Sequence, residues 1–163
     1  MARIPTLGPR GEGWVVLQAV LLIAVPLAAW RAALSPDPAL PGLDVLRDLG
    51  GALLIASLGV IGLSVAWLRR SRALSALPRP LDTGTLVESG PYRFVRHPVY
   101  AGIIAAAAAV ALIRVSPTVA VLAFALTVVL DLKRRREEAW LLERYPGYAA
   151  YRSRTKALVP FLY

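Results

Sequence analysis

The chain contains no cysteine, and its single histidine is His97. The missing cysteines exclude disulfides, thiol nucleophiles and cysteine-ligated metals, and one histidine excludes a multi-histidine metal site. A haem with one axial histidine is still compatible with this composition. Acidic residues are also scarce, because 10 Asp and Glu stand against 19 Lys and Arg and the formal net charge is +9.

Such a basic balance can indicate nucleic-acid binding. However, 57% of the residues are hydrophobic, which is more than soluble domains usually contain. The hydrophobic residues form blocks separated by arginine-rich stretches, a pattern typical of a multi-span membrane protein. We therefore interpret the arginines as cytoplasmic residues facing anionic lipid, and we expect no nucleic-acid partner.

The blocks predict a single membrane domain over residues 1–163, with an all-α fold: a helical bundle of about four transmembrane helices. The predicted spans are residues 14–34, 45–68, 97–114 and 117–132, and the predicted cytoplasmic segments are residues 69–96 and 133–163. The first block has no convincing cleavage site, so we expect a span there and not a signal peptide. The last two blocks are each too short to cross the membrane as a helix by themselves. We expect them to cross with the help of flanking residues, or to form a hairpin packed against other helices.

Charge and residue size give the orientation and one packing surface. Arginines follow the second and fourth blocks, so we expect both termini on the cytoplasmic side of a multi-pass protein. Apolar residues within 139–145 predict a C-terminal interfacial helix. The second block is also rich in small residues that favour close helix packing in lipid. They are Gly50, Gly51, Ala52, Ala56, Ser57, Gly59, Gly62 and Ser64.

Two polar stretches, residues 84–102 and 134–151, lie at the ends of the last two blocks. A hairpin of the two blocks would return to the face from which it began, so we expect the stretches to meet on the cytoplasmic face. His97 precedes Pro98, a favourable first helical residue, so His97 is expected at a helix N-terminus, where free amides favour an anionic group. Glu137 and Glu138 can attract a cationic or hydroxyl-rich ligand, and the nearby tyrosines can stack on a base. An adenosyl cofactor is compatible with this mixture.

Residues 90–102, GPYRFVRHPVYAG, resemble the G-x-Y-x-x-x-R-H-P-x-Y-x-G signature of the isoprenylcysteine carboxyl methyltransferases and their phospholipid methyltransferase relatives. The tail is similar too, with the acidic pair followed by Tyr148 and Tyr151, three residues apart. The resemblance covers about residues 81–161, and the first two blocks match only in hydrophobicity. It implies an integral-membrane bundle with a cytoplasmic site for S-adenosyl-L-methionine.

The resemblance also implies which residues form this site. The expected cofactor contacts are Tyr92, His97, Pro98, Val99, Tyr100 and one of Glu137 and Glu138, with backbone contacts from Thr85, Leu86 and Val87. Spacing favours Glu137, although either glutamate can serve. The arginine that places an acceptor carboxylate in eukaryotic members falls near Lys133 or Arg134. We predict His97, Arg134 and Glu137 as catalytic residues, and no metal site.

The predicted function is S-adenosylmethionine-dependent, direct in-line methyl transfer to a lipophilic acceptor, in which positioning carries most of the catalysis. The acceptor is expected to be a carboxylate of a prenylated or other lipid-like molecule, or a lipid amine. Three alternatives are an NAD(P)H-dependent membrane lipid reductase, a haem-dependent isomerase of similar fold, and a non-enzymatic membrane scaffold with a basic cytoplasmic face. The intact triplet Arg96-His97-Pro98 and the acidic pair favour the methyltransferase.

Overall fold

A computed structural model of the chain describes residues 4–36, 41–75, 77–79, 85–160 and 162, and its regular elements in these ranges are helical. They are α1 (Glu12–Ala33), α2 (Leu43–Arg70), α3 (Pro98–Arg114), α4 (Pro117–Arg144), α5 (Tyr148–Arg154) and a 3₁₀ helix at Gly90–Arg93. The predicted all-α class is therefore confirmed for the described chain. Residues 76, 80–84, 161 and 163 of the predicted cytoplasmic segments, including Gly84 of the first polar stretch, lie outside these ranges.

Helices α1 and α2 are long and apolar enough to cross a membrane. Their 22 and 28 residues correspond to about 33 and 42 Å of helix, against the ~30 Å of a hydrocarbon core. Only 17% of the most apolar window of each helix is buried within the protein, whereas a core helix of a soluble protein would be mostly buried. Such exposed apolar surface is typical of helices that lie in lipid, so α1 and α2 are candidate membrane spans. Helix α3 is apolar too but has 17 residues.

Helix α4 continues to Arg144, well past the predicted end of the fourth span at residue 132. The residues that follow the apolar part contain no proline or glycine before Pro146. Ion pairs one turn apart also support the helix, since Asp131 contacts Arg134 at 2.5 Å and Arg135 at 2.7 Å. Residues 139–145, expected as a separate interfacial helix, are therefore the end of α4, apart from its C-cap residue at 145.

Helices α2 and α3 approach closely through small residues. Gly50, Ser57 and Ser64, seven residues apart, are the buried positions of α2. A Cβ on Gly102 of α3 would lie 2.6 Å from Cγ1 of Ile61 and 3.2 Å from the carbonyl oxygen of Ser57. By contrast, a Cβ at Gly51, Gly59 or Gly62 would meet nothing within 4 Å. Only part of the predicted small-residue surface is thus a helix contact.

A short turn joins α3 to α4, with Val115 in the left-handed region at φ 45° and Pro117 as the first residue of α4. The two helices form a hairpin with a buried apolar core at Ala107, Ala123, Leu126 and Leu130. Helix α1 packs on α4, with Val25 and Ala29 against Val119. The hairpin brings the start of α3 beside the charged second half of α4, where the tail residues also lie.

Candidate active site

A cavity lies beside the N-terminus of α3; it is partly open to solvent and holds about 170 Å³ of space that water can enter. Its walls come from the end of α2, the segments 73–75, 77–78 and 85–87, the residues around His97, the second half of α4 and the tail. The lining residues are Val65, Leu68, Ala73, Leu74, Ser75, Leu77, Pro78, Thr85, Leu86, Val87, Tyr92, Arg96, His97, Val99, Tyr100, Glu137, Leu141, Tyr145, Tyr148 and Tyr151.

Most of the residues predicted for the cofactor site line this one cavity. They are Thr85, Leu86, Val87, Tyr92, His97, Val99, Tyr100 and Glu137. Three predicted site residues, Pro98, Arg134 and Glu138, are not among the lining residues. The two polar stretches of the sequence therefore do come together, and of the two glutamates it is Glu137 that faces the cavity.

The strip before α3 is held against α2 by a glycine. Gly90 has φ +61°, and a Cβ there would lie 2.5 Å from the indole ring of Trp67. Trp67 also donates a hydrogen bond from Nε1 to the Ser89 hydroxyl at 2.9 Å. Only glycine combines this left-handed backbone with so close an approach to an aromatic ring, which sets where the following Tyr92 enters the site.

Glu137 is held by groups of α3 on the cavity side. Its Oε2 accepts a hydrogen bond from the Tyr100 hydroxyl at 2.9 Å and lies 3.9 Å from Nδ1 of His97. The rings of His97 and Tyr100 stack, with centroids 5.5 Å apart and planes 10° from parallel. The imidazole, the phenol and the carboxylate thus form one polar wall, with His97 only 7% exposed.

Glu138, one residue further, turns away from the cavity into a buried charge cluster. Its Oε1 accepts hydrogen bonds from Nε of Arg96 at 2.9 Å and from Nη1 of Arg134 at 3.4 Å, and lies 3.2 Å from Nε2 of His97. Burial by itself would raise the pKa of this carboxyl, but hydrogen bonds from His97 and Arg96 and the positive charge of the cluster outweigh it and hold the pKa at about 2. Glu138 is therefore ionised at neutral pH.

The tail is clamped onto the strip that carries His97. The backbone N–H groups of Arg96 and His97 donate to the carbonyls of Lys156 and Ala157 at 2.8 and 3.0 Å. The Arg96 guanidinium also donates to the carbonyl of Thr155. The Tyr151 hydroxyl donates to the carbonyl of Tyr92 at 2.5 Å. Hydrogen bonds to backbone carbonyls therefore hold the strip that carries Tyr92 and His97 against the tail.

Tyr148 carries a buried hydroxyl in this cavity. The residue is 1% exposed, and within the described chain its hydroxyl oxygen has no hydrogen-bond partner. Burial raises the pKa of Tyr148, so the group is a neutral phenol and can donate a hydrogen bond. A buried polar group normally finds a partner, which makes this hydroxyl a candidate ligand contact.

Neither cation considered for the acceptor-placing role is among the cavity-lining residues. Arg134 pairs with Asp131 and Glu138. Nζ of Lys133 donates to the Gln18 side chain at 2.6 Å and lies 5.2 Å from the Tyr100 ring centroid. Among the described residues that line the cavity, the arginine is Arg96, which belongs to the predicted Arg96-His97-Pro98 triplet but was not itself predicted as a site residue.

One wall of the cavity was not predicted from the sequence, and it is contributed by residues 73–75 and 77–78. Its signal was weak: Ala73, Leu74 and Leu77 are apolar residues within a stretch that otherwise reads as a polar connection. The tail tyrosines had been recognised as possible stacking groups, but Tyr145, Tyr148 and Tyr151 were not assigned to the site. Their spacing after the acidic pair was the available signal.

The family model of the phospholipid methyltransferases matches residues 46–147 of the chain, a range that contains most of α2 and all of α3 and α4. A curated relative, the cobalt-zinc-cadmium resistance protein CzcN of Cupriavidus metallidurans, is 36% identical over 114 residues, which are 67% of this chain and 50% of that protein. The chain thus spans about half the length of this relative. The match covers the cavity-forming helices and the signature around His97, and the chain therefore belongs to the phospholipid methyltransferase family of membrane methyltransferases.

Proposed function

We propose that the cavity binds S-adenosyl-L-methionine and that the chain transfers its methyl group to a lipid-like acceptor. One observation carries this proposal. Signature residues of α3, Glu137 of α4 and Tyr148 and Tyr151 of the tail, which are distant in sequence, line a single cavity. Family membership supports methyl transfer in general, and the cavity adds the chemical features that suit this particular cofactor.

The lining residues fit the cofactor in charge and in hydrogen bonding. The Glu137 carboxylate can accept hydrogen bonds from an ammonium or from ribose hydroxyls and attracts a positively charged ligand. The Tyr148 hydroxyl, without a partner among the described residues, can donate to a ring nitrogen or a carboxylate. Tyr92 and Tyr145 supply aromatic surface for a base or a sulfonium. Apolar side chains such as Leu86 and Leu141 complete the walls.

When bound, S-adenosylmethionine supplies a methyl group on an electrophilic sulfonium. The protein's own contribution is then to orient two molecules and to keep water out, which can lower a barrier by several kcal/mol. His97 and Glu137 stand together at the cavity wall. Either can take a proton from an acceptor amine, because a lone pair on nitrogen must be free before it can be methylated. A carboxylate acceptor needs no such base.

The acceptor is proposed to be a lipid-like molecule that reaches the cavity from the membrane. Val65 and Leu68, near the end of the apolar helix α2, line the cavity and can contact an aliphatic chain. The reacting group is an amine or a carboxylate at the polar end of such a molecule. Glu138 is proposed to act through Arg96 and His97, which it contacts, and Arg134 through Glu138, because neither of them lines the cavity.

We also propose four membrane spans, made by α1 to α4, with both termini and the cavity on the cytoplasmic side. The absence of cysteine from the chain allows the orientation that this arrangement requires to be tested with the single-cysteine variants Ser35→Cys and Ser153→Cys. In membrane vesicles, an impermeant thiol reagent should label the variant at position 153 only from the cytoplasmic side, and the variant at position 35 only from the other. Labelling of both from one side contradicts the four-span arrangement.

Calorimetric titration of the detergent-solubilised protein with S-adenosylhomocysteine, the expected product, tests the cofactor. Wild type should bind saturably in the micromolar range. His97→Ala and Glu137→Gln should weaken binding at least tenfold, since each removes a polar contact worth on the order of 1.4 kcal/mol or more. Glu143→Gln is the matched control, because Glu143 is exposed on the same helix and lies outside the cavity lining.

Two results would overturn the proposal. One is the absence of S-adenosylhomocysteine binding by a folded wild-type protein, with NADPH and haem titrated alongside as the competing ligands. The other is equal affinity in wild type, His97→Ala and Glu137→Gln, which would separate binding from this cavity.

A further inference from the structure

The two ring nitrogens of His97 face two different carboxylates. Nε2 lies 3.2 Å from Oε1 of Glu138, inside the buried cluster, and Nδ1 lies 3.9 Å from Oε2 of Glu137, on the cavity side. The side chains of His97 and Glu138 are each only 6% exposed, whereas that of Glu137 is 24% exposed. The shorter and drier contact is therefore the one with Glu138.

Glu138 can only accept hydrogen bonds in this position. Two guanidinium groups, of Arg96 and Arg134, already donate to the same oxygen that faces the imidazole. A third, on Arg152, lies 3.5 Å from its other oxygen. With so much positive charge around it, the carboxyl stays ionised at neutral pH. An ionised carboxylate has no proton to give, so the hydrogen in the contact with His97 must belong to the imidazole.

We propose that Glu138 is a positioning residue that keeps the proton of neutral His97 on Nε2, so that Nδ1 faces the cavity as a hydrogen-bond acceptor. A cavity-side acceptor selects a ligand or substrate group that carries an N–H or O–H, such as an ammonium, a neutral amine or a ribose hydroxyl. This last step rests on the proposed function. The placement of the proton does not, because it follows from contacts within the protein.

The remaining groups around His97 hold the ring where this proton placement matters. The backbone N–H of His97 donates to the carbonyl of Ala157, and its ring stacks on Tyr100. Tyr100 in turn donates its hydroxyl hydrogen to Glu137, so that hydrogen is not available to Nδ1. The charged groups that face the ring are Glu137, Glu138 and, through Glu138, Arg96 and Arg134. None of them offers Nδ1 a hydrogen bond in the described chain.

Nuclear magnetic resonance of the solubilised full chain, with ¹⁵N in the imidazole, can test this directly. His97 is the only histidine, so the spectrum contains one ring. At a pH where the ring is neutral, we expect the proton on Nε2, shifted downfield and slow to exchange with water, because it is bonded to a buried carboxylate. A proton found on Nδ1, or an Nε2 proton that exchanges rapidly, would overturn the proposal.

Two matched variants separate the two glutamates. Glu138→Gln removes the charge but keeps the shape, and should move the ring proton upfield, speed its exchange and populate the other tautomer. Glu137→Gln should leave the proton on Nε2. An unchanged ring proton in Glu138→Gln contradicts the assignment. If Glu138→Gln fails to fold, the spectra of wild type and Glu137→Gln still test the proposal. A ring proton that changes its nitrogen in Glu137→Gln would show that Glu137, and not Glu138, determines its position.

Titration with S-adenosylhomocysteine distinguishes this inference from the proposed function. Glu138→Gln should bind about tenfold more weakly than wild type, the loss of roughly one hydrogen bond, although Glu138 does not line the cavity. If wild type does not bind at all, the proposed function fails while the resonance result still tests the proton placement. If Glu138→Gln changes the tautomer but not the affinity, the ligand-facing role of Nδ1 is wrong.

Discussion

Helix α3 is held in two physically different ways within its first two turns. At its N-cap, His97 lies in a cluster of buried charges with Glu138 and Arg96. Five residues later, Gly102 lies against Ile61 and the backbone at Ser57 with no charged group involved. One region is fixed by ion pairs and hydrogen bonds, and the other by close contact of small residues.

The difference follows from the surroundings of each region. Between helices in lipid, association depends on close packing, because lipid tails are as apolar as the side chains they would replace. At the polar end, buried charges cost free energy unless they are paired. The apolar region should therefore be sensitive to added volume and the polar region to lost charge, and four experiments can break or sharpen this contrast.

The largest effect is expected from Arg96→Met, which keeps the long side chain but removes its charge. The guanidinium, with 8% of the side chain exposed, contacts Glu138 and two tail carbonyls. Removing one member of a buried pair costs about 3–5 kcal/mol, so the thermal midpoint in detergent should fall steeply. Arg70→Met, at an exposed position near the same membrane face, is the control. Equal midpoints in the two variants would argue against the cluster as a stabilising element.

Acid should weaken the polar region next. The pKa of Glu138 is about 2 in the folded protein, against 4.5 for an unperturbed glutamate. The unfolded chain therefore takes up this proton first as the pH falls, and the contribution of Glu138 is complete above about pH 4.5 and is lost towards pH 2. The full loss is on the order of 3 kcal/mol. Between pH 6 and pH 3, the free energy of unfolding should fall more steeply with pH in wild type than in Glu138→Gln. Equal slopes in the two proteins would contradict the role given to Glu138.

Gly102→Val tests the apolar region by adding volume without charge. Its Cβ would lie 2.6 Å from Ile61 Cγ1 and 3.2 Å from a backbone oxygen, so α2 and α3 must separate, at about 1–3 kcal/mol. Gly59→Val on α2 is the control, because a Cβ there meets nothing within 4 Å, and it should change stability by less than about 0.5 kcal/mol. If Gly59→Val were as unstable as Gly102→Val, the loss of stability would come from the helix propensity of valine and not from packing between α2 and α3.

The same contrast explains which features could be read from the sequence. The ends of the first three helices lie within about two residues of the ends predicted for the apolar blocks, because a long apolar stretch leaves a local pattern in the sequence. The residues of the cavity around His97 were predicted from a short contiguous motif. Both are properties of neighbouring residues along the chain.

The charge cluster could not be predicted, because its pairs form across the fold. Arg93 and Arg96 look equivalent in the sequence, yet Arg93 is exposed while Arg96 is buried against Glu138. Likewise, the adjacent Glu137 and Glu138 face opposite surroundings, since successive residues of a helix point about 100° apart. Spacing in the sequence favours Glu137 for the cavity, but the partners of Glu138 depend on the rotation of α4 about its axis, which no local pattern fixes.

Tyr148→Phe should have the smallest effect on stability and the opposite sign. In the polar region most described groups are paired, but the Tyr148 hydroxyl is buried without a hydrogen-bond partner among the described residues. Removing it should raise the free energy of unfolding by up to about 1 kcal/mol, since a buried unsatisfied group costs about that much or more. Tyr151→Phe is the matched control, because that ring packs edge-on against Tyr148 and its hydroxyl does donate to Tyr92. The control should therefore lose about 1 kcal/mol.

If the Tyr148 hydroxyl binds a ligand, Tyr148→Phe should also bind S-adenosylhomocysteine several-fold more weakly than wild type. If Tyr148→Phe gains stability and keeps its affinity, the hydroxyl has no role in ligand binding. If Tyr148→Phe loses stability, the hydroxyl already has a hydrogen-bond partner.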